Sequence, residues 1–473
     1  MDVPSCEGCR RLQAELERTR AELEQTRAEL AELRQQLREL QARLKQDSTN
    51  SSLPPSANPL HGRKLAKKKK SKRKRGGQPG HAAHLRKRLP PERVSQVVPF
   101  VPTTCDGCGA SLSKDAGPND PEPTWHQYVQ LPPIAAHVIE YQGHARTCSC
   151  CGEVTRASIP EEIRKHTFDP GMTAAISYFV GRLHVSRRDT EEAVETFFQV
   201  PIALGTVSNL EQEMSAALAP AHAEAQQAVQ EAAVKNIDET GWKEAGQKRW
   251  LWAGATKTVA CYVISIGRGL PGLLALLGNK MTGILCSDRW SVYGCWKTEL
   301  RQVCWAHLKR DFQKLIDRGG VSKEYGKLGQ AAVDILFHEW HLYRGGGSRA
   351  QLQRELEPVR EMVREWLEEG ARCRHPKTAT FCQNLLDLEP ALWTFLYHKG
   401  VEPTNNHGER IVRTAVLWRK NSFGCQSDAG CRFVERILTA VQTLRLQQRP
   451  VFAYLAEAIA AHRTGSPIPQ LLK

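Results

Sequence analysis

Apolar and polar positions divide this chain into segments of different period. Leu16, Leu23, Leu30, Leu37 and Leu44 recur every seven residues, and the alternate seam position holds Leu12, Thr19, Thr26, Leu33 and Leu40. An apolar seam with this period predicts a coiled-coil helix from about Leu12 to Leu44, and leucine on both seam positions needs a partner helix to cover it. A single solvated, charged helix is the alternative. The block Thr-Arg-Ala-Glu-Leu repeats directly, from Thr19 and again from Thr26. Residues 47–59 then break every period with Ser, Asn and Pro, which predicts a turn-rich linker.

Residues 171–219 carry helical spacing. Thr190 to Gln199 and Leu204 to Met214 flank a short Val200-Pro201 turn. That arrangement suits either a helix-turn-helix entering a DNA groove or a helical packing layer. From Val234 the period changes. A strand ending at Asp238, the runs Trp250–Ala255 and Val259–Ile266, a helix near Leu270–Leu277, a strand Ile284–Ser287, another at Leu300–Val303 and a helix at Ala306–Ile316 follow in order. Strands first, then strand and helix in alternation, predict an α+β domain with a ribonuclease-H-like mixed sheet. From about Ser322 to Leu396 only helical signals occur, as in an insertion, and helices return at Asn406–Leu417, Val434–Leu446 and Val451–Ala461.

Composition adds a partner to this picture. The 473 residues suggest roughly three or four domains, and a 41% hydrophobic content is enough to bury a sizeable core. The net charge is +15, which favours a polyanion such as nucleic acid. Ten of the positive charges lie between Arg63 and Arg75, with Lys67, Lys68, Lys69, Lys70, Lys72, Arg73, Lys74 and Arg75 as candidate phosphate contacts. Such a run buries no apolar surface and is expected to be disordered without a ligand; a solubilising linker is the bland reading. No apolar stretch of about 18 residues and no secretory leader is evident, so neither a membrane span nor export is expected. The fifteen cysteines then read as thiols and metal ligands in a cytoplasmic, nucleoid-associated protein.

Two Cys-x-x-Cys-Gly knuckles stand out, Cys105/Cys108 before Gly109 and Cys148/Cys151 before Gly152. Four thiolates in two such pairs suit one tetrahedral, structural Zn²⁺. The segment from Gln127 to Tyr141 between them reads as a strand pair, which predicts a zinc-ribbon-like module. Cys150 is a rival for Cys151, but the two-residue spacing prefers Cys148 with Cys151.

Three acids carry the candidate chemistry. Asp238 and Asp288 each end an apolar strand, and Glu409 sits where a loop opens a helix. Two carboxylates at strand ends and one on a helix can converge on two Mg²⁺ or Mn²⁺ ions, the ligand set of two-metal phosphoryl transfer. Glu239 alternates to the other face of its strand and is not expected to be a ligand. Arg410 and Arg413, on the Glu409 helix, reach either DNA phosphates or salt-bridge partners. Cys304 and His307 have helical spacing but no second ligand pair in the sequence, so zinc is not expected there. His307, Lys309 and Arg310 are expected to face DNA or the rim of the site.

These residues resemble one family. Asn50-Ser51-Ser52-Leu53-Pro54-Pro55-Ser56, Gly76-Gly77-Gln78-Pro79-Gly80-His81, both knuckles, Asp238-Glu239-Thr240, Cys304-Trp305-Ala306-His307, Pro403-Thr404-Asn405-Asn406 and Trp418 to Gly424 are similar to transposases of the insertion sequence 66 family. The resemblance implies a DDE enzyme with a ribonuclease-H-like catalytic domain, whose acids fall on Asp238, Asp288 and Glu409. Two departures are visible. Arg289-Trp290 follows the second aspartate where the family usually has Gly-Tyr, and Gly408 precedes the glutamate where Ala is common. The implied organisation is a coiled coil over 1–47, a basic linker over 48–92 and a zinc module over 93–160. A helical, candidate DNA-binding region over 161–232 and a catalytic domain over 233–425, with a helical insertion at about 320–400, come next. C-terminal helices over 426–473 complete it. The implied partners are terminal-repeat and target DNA, a second copy through the leucine seam, and accessory proteins of the same element. The competing classes are a non-catalytic zinc-dependent DNA-binding regulator and a metal nuclease without strand transfer.

Overall fold

The structure, a computed structural model, describes residues 7–44, 46, 88–118, 120–131 and 134–472. The basic run from Lys67 to Arg75 lies outside the described residues. The chain divides into two compact units, residues 63–136 and the remainder, and the division runs between the two cysteine knuckles.

Helix α1, Glu7–Leu44, follows the heptad segment. Leu16, Leu23, Leu30, Leu33, Leu37 and Leu40 are between 46% and 62% exposed, so the seam is uncovered in the single chain. Thr19 and Thr26, the polar seam positions, donate their hydroxyls to the carbonyls of Glu15 and Glu22 and remain satisfied without a partner.

The two knuckles share one backbone plan. In the first, Gly109 N–H donates to Cys105 O and Cys105 N–H to Ala110 O; in the second, Gly152 N–H donates to Cys148 O and Cys148 N–H to Glu153 O. Gly109 and Gly152 sit at φ 73° and 78°, the left-handed region that glycine adopts without a Cβ penalty. The second knuckle closes the hairpin of β1, Ala145–Thr147, and β2, Val154–Arg156. The strand pair expected from Gln127 to Tyr141 does not form among the described residues there. Pro132 and Pro133 interrupt that sequence and offer no N–H to a ladder. Pairing moves instead to the arms of the second knuckle.

The larger unit is built on a five-stranded sheet of order β5-β4-β3-β6-β7. Its strands are β3, Val234–Glu244, β4, Gln247–Ala255, β5, Ala260–Ser265, β6, Ile284–Ser287, and β7, Arg301–Val303. The first three are antiparallel neighbours, and β6 and β7 run parallel to β3. Strands β4 and β5 are covered on both faces over Leu251–Ala255 and Ala260–Ile264, which is why they read as continuous apolar runs rather than alternating ones.

One core joins the sheet to α3, Pro170–Gly181, α5, Leu204–Ala217, α6, Ala219–Glu231, α13, Asn406–Ser422, α14, Asp428–Leu446, and α15, Val451–Thr464. A second core gathers α8, Trp305–Arg318, with α9, Gly320–Arg344, α10, Arg349–Ala371, α11, Pro376–Leu386, and α12, Glu389–Tyr397. These helices leave the sheet after β7 and return to it. Helix α12 docks on β7, where Trp305 Nε1 donates to Leu392 O at 2.7 Å and Thr394 Oγ1 donates to Arg301 O.

Helix α4, Arg187–Phe198, and α5 occupy the positions weighed as a helix-turn-helix. Helix α5 packs on α3, α14 and α15, and its charged residues are Glu211 and Glu213. Glu211 is itself buried against Arg187 at 2.6 Å. Helix α5 therefore packs as part of a helical layer, and it carries no Lys or Arg of its own. Among the described residues, no helix is long and apolar enough to cross a membrane.

Candidate active site

Strand register brings the first two acids together. The parallel ladder pairs Asn236 of β3 with Cys286 of β6, and Asp238 and Asp288 each follow two positions on. Asp288 lies just past the end of β6, whereas β3 does not end at Asp238 as expected but runs on to Glu244, held there by its pairing with β4. Asp288 leaves the strand and folds back, its Oδ1 accepting from Trp290 N–H at 2.9 Å.

Helix α13 supplies Glu409 in its first turn and is fastened along β3 at three points. At its start, Asn405 Nδ2 donates to Ile237 O at 2.7 Å, and Asn236 Nδ2 donates to Asn405 Oδ1 at 2.8 Å. In its body, Arg419 donates to Gly241 O and Thr240 Oγ1. Past its end, Cys425 N–H donates to Lys243 O and Ala245 N–H to Cys425 O. Asn405 is 2% exposed, and its own N–H points at Cys304 Sγ, 3.1 Å away. One amide thus joins the central strand, the start of α8 and the start of α13. The departure at Gly408 has its reason here, because a Cβ at that position would stand 2.9 Å from Asn405 Oδ1. Sequence reasoning quoted Asn405 only within a motif and passed over Asn236. An amide inside the apolar β3 run was the available signal.

The three acids feel one another's charge. Burial, and then the negative charges of Glu239, Asp288 and Glu409, push the Asp238 carboxyl well above the usual carboxylate range. The N–H of Glu239, donating to Asp238 Oδ1 at 3.0 Å, opposes this only weakly. A buried carboxyl beside negative charge holds its proton more tightly than a free one.

Glu239 is engaged elsewhere, as its alternation requires. It is 3% exposed, ion-paired to Arg268 at 2.7 Å and accepting from Tyr293 Oη at 2.5 Å. Burial raises its pKa, as does Asp288, while Tyr293 and Arg268 oppose. The Arg268 guanidinium lies 3.0 Å from the Trp290 ring centre and 4.9 Å from that of Trp250. Arg289, the other departure, pairs with Asp311 of α8 at 2.7 Å and lies over Phe381 of α11. The Arg289-Trp290 pair therefore braces the Asp288 loop against two neighbours rather than projecting outward.

Around Glu409 the structure differs from the sequence expectation. Among the described residues, Cys304, His307 and Glu409 form the one group of three whose ligand atoms all lie within 4.8 Å of one another. Cys304 and His307 have no second ligand pair in the sequence, but the fold brings Glu409 to them from α13. Arg310 Nη2 also approaches Glu409 Oε1, at 3.5 Å. Lys309 instead points to α9, where it pairs with Asp334 at 2.7 Å, so it is not aimed at the acids. Arg410 and Arg413 are exposed on α13, with no ion pair to either among the described residues.

In each knuckle the leading thiol lies below its ordinary pKa. Cys105 is lowered by the N–H groups of Cys108 and Gly107 and by the Cys108 thiol; Cys148 is lowered by those of Cys151 and Cys150 and by the Cys151 thiol. Amide donors aimed at a sulfur favour thiolate, the form that binds metal. Cys148 shares its side-chain hydrogen bond with Cys151 rather than Cys150.

Comparison with known proteins agrees with the resemblance. The profile described as a family of unknown function (DUF6444) matches residues 2–87. The uncharacterized protein y4qI of Sinorhizobium fredii (strain NBRC 101917 / NGR234) is 28% identical over 254 residues, covering 47% of this chain. The match spans 46% of that relative, a little under half its length. The profile of the transposase IS66 family matches residues 165–432, which takes in β3, β6, α8 and the whole of α13. With more than half its length matched, the chain belongs to the transposase IS66 family.

Proposed function

We propose that this transposase cleaves and joins DNA phosphodiesters at the ends of an insertion sequence, using Asp238, Asp288 and Glu409 as its acids. What supports the reading is the placement of Asp238 on the central strand β3, Asp288 directly after the adjacent β6 and Glu409 in the first turn of α13, with Asp238 feeling the charge of the other two. Supporting it, the sheet order with β3 central, antiparallel to β4 and parallel to β6, reads as ribonuclease-H-like, with α9 to α12 as the helical insertion.

The donor set suits hard cations, because it offers carboxylate oxygens rather than thiolates. Asp238, Asp288 and Glu409 would hold two Mg²⁺ or Mn²⁺, which when bound supply activation of an attacking oxygen and charge stabilisation at phosphorus. Water and then a DNA 3′-hydroxyl are the attacking groups. Asp238, whose proton affinity burial raises, would bind a cation only in its deprotonated form. Glu239 stays in its pair with Arg268 and keeps the strand end rigid. Arg310, beside Glu409, and the exposed Arg410 and Arg413 are set to meet phosphates, as is the basic run from Lys67 to Arg75.

The remaining parts bring the substrate and a second copy. Each knuckle offers the two-thiolate half of a structural zinc site. A single Zn²⁺ held by Cys105, Cys108, Cys148 and Cys151 rests on their sequence spacing, and its binding energy would stabilise that module. The uncovered leucines of α1 support pairing of protomers, so that two DNA ends meet in one complex. Terminal inverted repeats, target DNA and accessory proteins of the element are the partners of this reading, in the cytoplasm at the nucleoid.

The test uses purified full-length chain and labelled terminal-repeat DNA, with Mg²⁺ or Mn²⁺, with and without the accessory proteins of the element. Wild type is expected to nick and join the labelled ends, and Asp288→Asn to bind the DNA without cutting it. Equal cleavage by the two would remove the catalytic assignment and leave a nuclease contaminant as the source. DNA binding with no cleavage by either, accessory proteins present, would favour the regulator.

A further inference from the structure

We propose that Cys304, His307 and Glu409 form a second metal site, for a soft divalent ion of the zinc class, which withdraws Glu409 from the DNA chemistry when filled. The inference rests on the catalytic reading only for that consequence; the site itself stands on geometry.

Tetrahedral ligands around zinc stand about 3.3–3.8 Å apart. His307 Nδ1 lies 3.4 Å from Glu409 Oε1, and the thiol completes a triangle no wider than 4.8 Å. His307 Nδ1 is buried and makes no hydrogen bond, so a ring nitrogen is left facing the carboxylate with nothing to satisfy it. Cys304 is fully buried at the start of α8, with its Sγ 3.1 Å from Asn405 N–H. One sulfur, one imidazole and one carboxylate, with a fourth position open, is a donor set that prefers zinc to magnesium. Arg310 reaches the same Glu409 oxygen at 3.5 Å and must yield as the ion enters. Glu409 is 35% exposed, which provides the path of entry.

Glu409 then belongs to two competing donor sets. With Asp238 and Asp288 it serves hard cations; with Cys304 and His307 it serves a soft one. A zinc-class ion would inhibit the enzyme by claiming a shared ligand, without touching DNA.

The test is a Co²⁺ titration of the full-length, metal-stripped chain, followed by thiolate-to-cobalt absorption, with cobalt as the spectroscopic substitute for zinc. Wild type is expected to bind one equivalent more than Cys304→Ser. Glu409→Gln and His307→Gln are each expected to weaken that equivalent by more than the roughly 10–100-fold that outer-shell changes cost. Cys148→Ser should remove a different part of the spectrum, and Asp238→Asn should leave the Cys304-dependent part in place. Glu409→Gln, partly exposed on α13, guards against a folding failure of the buried Cys304→Ser. Identical stoichiometry and spectra in wild type, Cys304→Ser and Glu409→Gln would overturn the site. Because the reading is made without DNA, that result would leave the catalytic assignment untouched.

Discussion

Adjacent acids on one strand are assigned opposite duties, Asp238 to cations and Glu239 to structure, and Arg268→Ala tests the division. The Glu239 side chain is 3% exposed, with Arg268 and Tyr293 as its partners. Deleting one partner of a buried ion pair leaves an uncompensated charge and costs about 3–5 kcal/mol. Two features reduce that figure here. Arg268 is 38% exposed and so already screened, and Tyr293 still donates after the change. We take about 2–3 kcal/mol for the pair. Loss of the guanidinium from between Trp290 and Trp250 adds about 0.5–1 kcal/mol. The expected loss is therefore about 3 kcal/mol, against at most about 1 kcal/mol for an exposed pair. The assay is urea unfolding followed by tryptophan fluorescence, which reports the Trp250 and Trp290 surroundings, because a chain of several cores need not unfold in one step. Glu239→Gln in the Arg268→Ala background should recover most of the loss, since a neutral amide no longer needs the cation. Glu239→Gln alone should retain terminal-repeat cleavage, and Asp238→Asn should not. A loss below about 1 kcal/mol for Arg268→Ala, or a double variant whose loss is the sum of the singles, would refute the reasoning.

Three further outcomes are expected. Asp238 has a raised folded pKa, so the stability it contributes is complete below the ordinary unfolded value of about 3.9 and is lost as pH rises through the folded value; melting of the metal-free chain should fall over that range, and either Mg²⁺ or Asp238→Asn should flatten the slope. Glu435, buried on α14 and accepting from Ile264 N–H, titrates at about 7 instead of 4.5, a difference worth about 3 kcal/mol, so Glu435→Gln should stabilise the chain by up to that amount at pH 8 and very little at pH 4, read by thermal melts at the two values. Asn405→Ala leaves Asn236 Nδ2 and Ile237 O without partners and should cost about 2–4 kcal/mol while lowering DNA cleavage more than DNA binding, checked by urea unfolding beside a gel-shift and cleavage pair.

What could be read from the sequence follows from range of interaction. Strands β3 to β7 and helix α8 were legible because each is set by local period and by both-face burial, as at Leu251–Ala255. Asp238 and Asp288 drew notice because each ends an apolar run, but the run before Asp238 does not mark the end of β3, whose remainder to Glu244 is held by its partner β4 and carries no continuous apolar run. The Cys304–His307–Glu409 cluster was not, since its third member is 102 residues beyond the second and enters through the docking of α13 on β3. The strand pair expected near Tyr128 failed because alternation of apolar residues says nothing about missing N–H donors at Pro132 and Pro133. The direction of Lys309 was likewise invisible, because Asp334 reaches it from another helix.

The order in which the sheet and α13 are made has a consequence for the timing of synthesis. Asp238 and Asp288 emerge early, whereas Glu409 follows β7 and the whole of α8 to α12. A ribosome that has finished the leucine seam, both knuckles and the first two acids has yet to deliver the third. On the proposed reading, a chain arrested or truncated before α13 lacks Glu409 and the helices that complete the core on the sheet, but keeps the leucine seam with which to pair and the basic run and knuckles. Such fragments would occupy DNA ends and poison complexes with full-length copies, so a frameshift or stop between Leu315 and Pro403 would turn one copy of the element into a dominant inhibitor of its siblings.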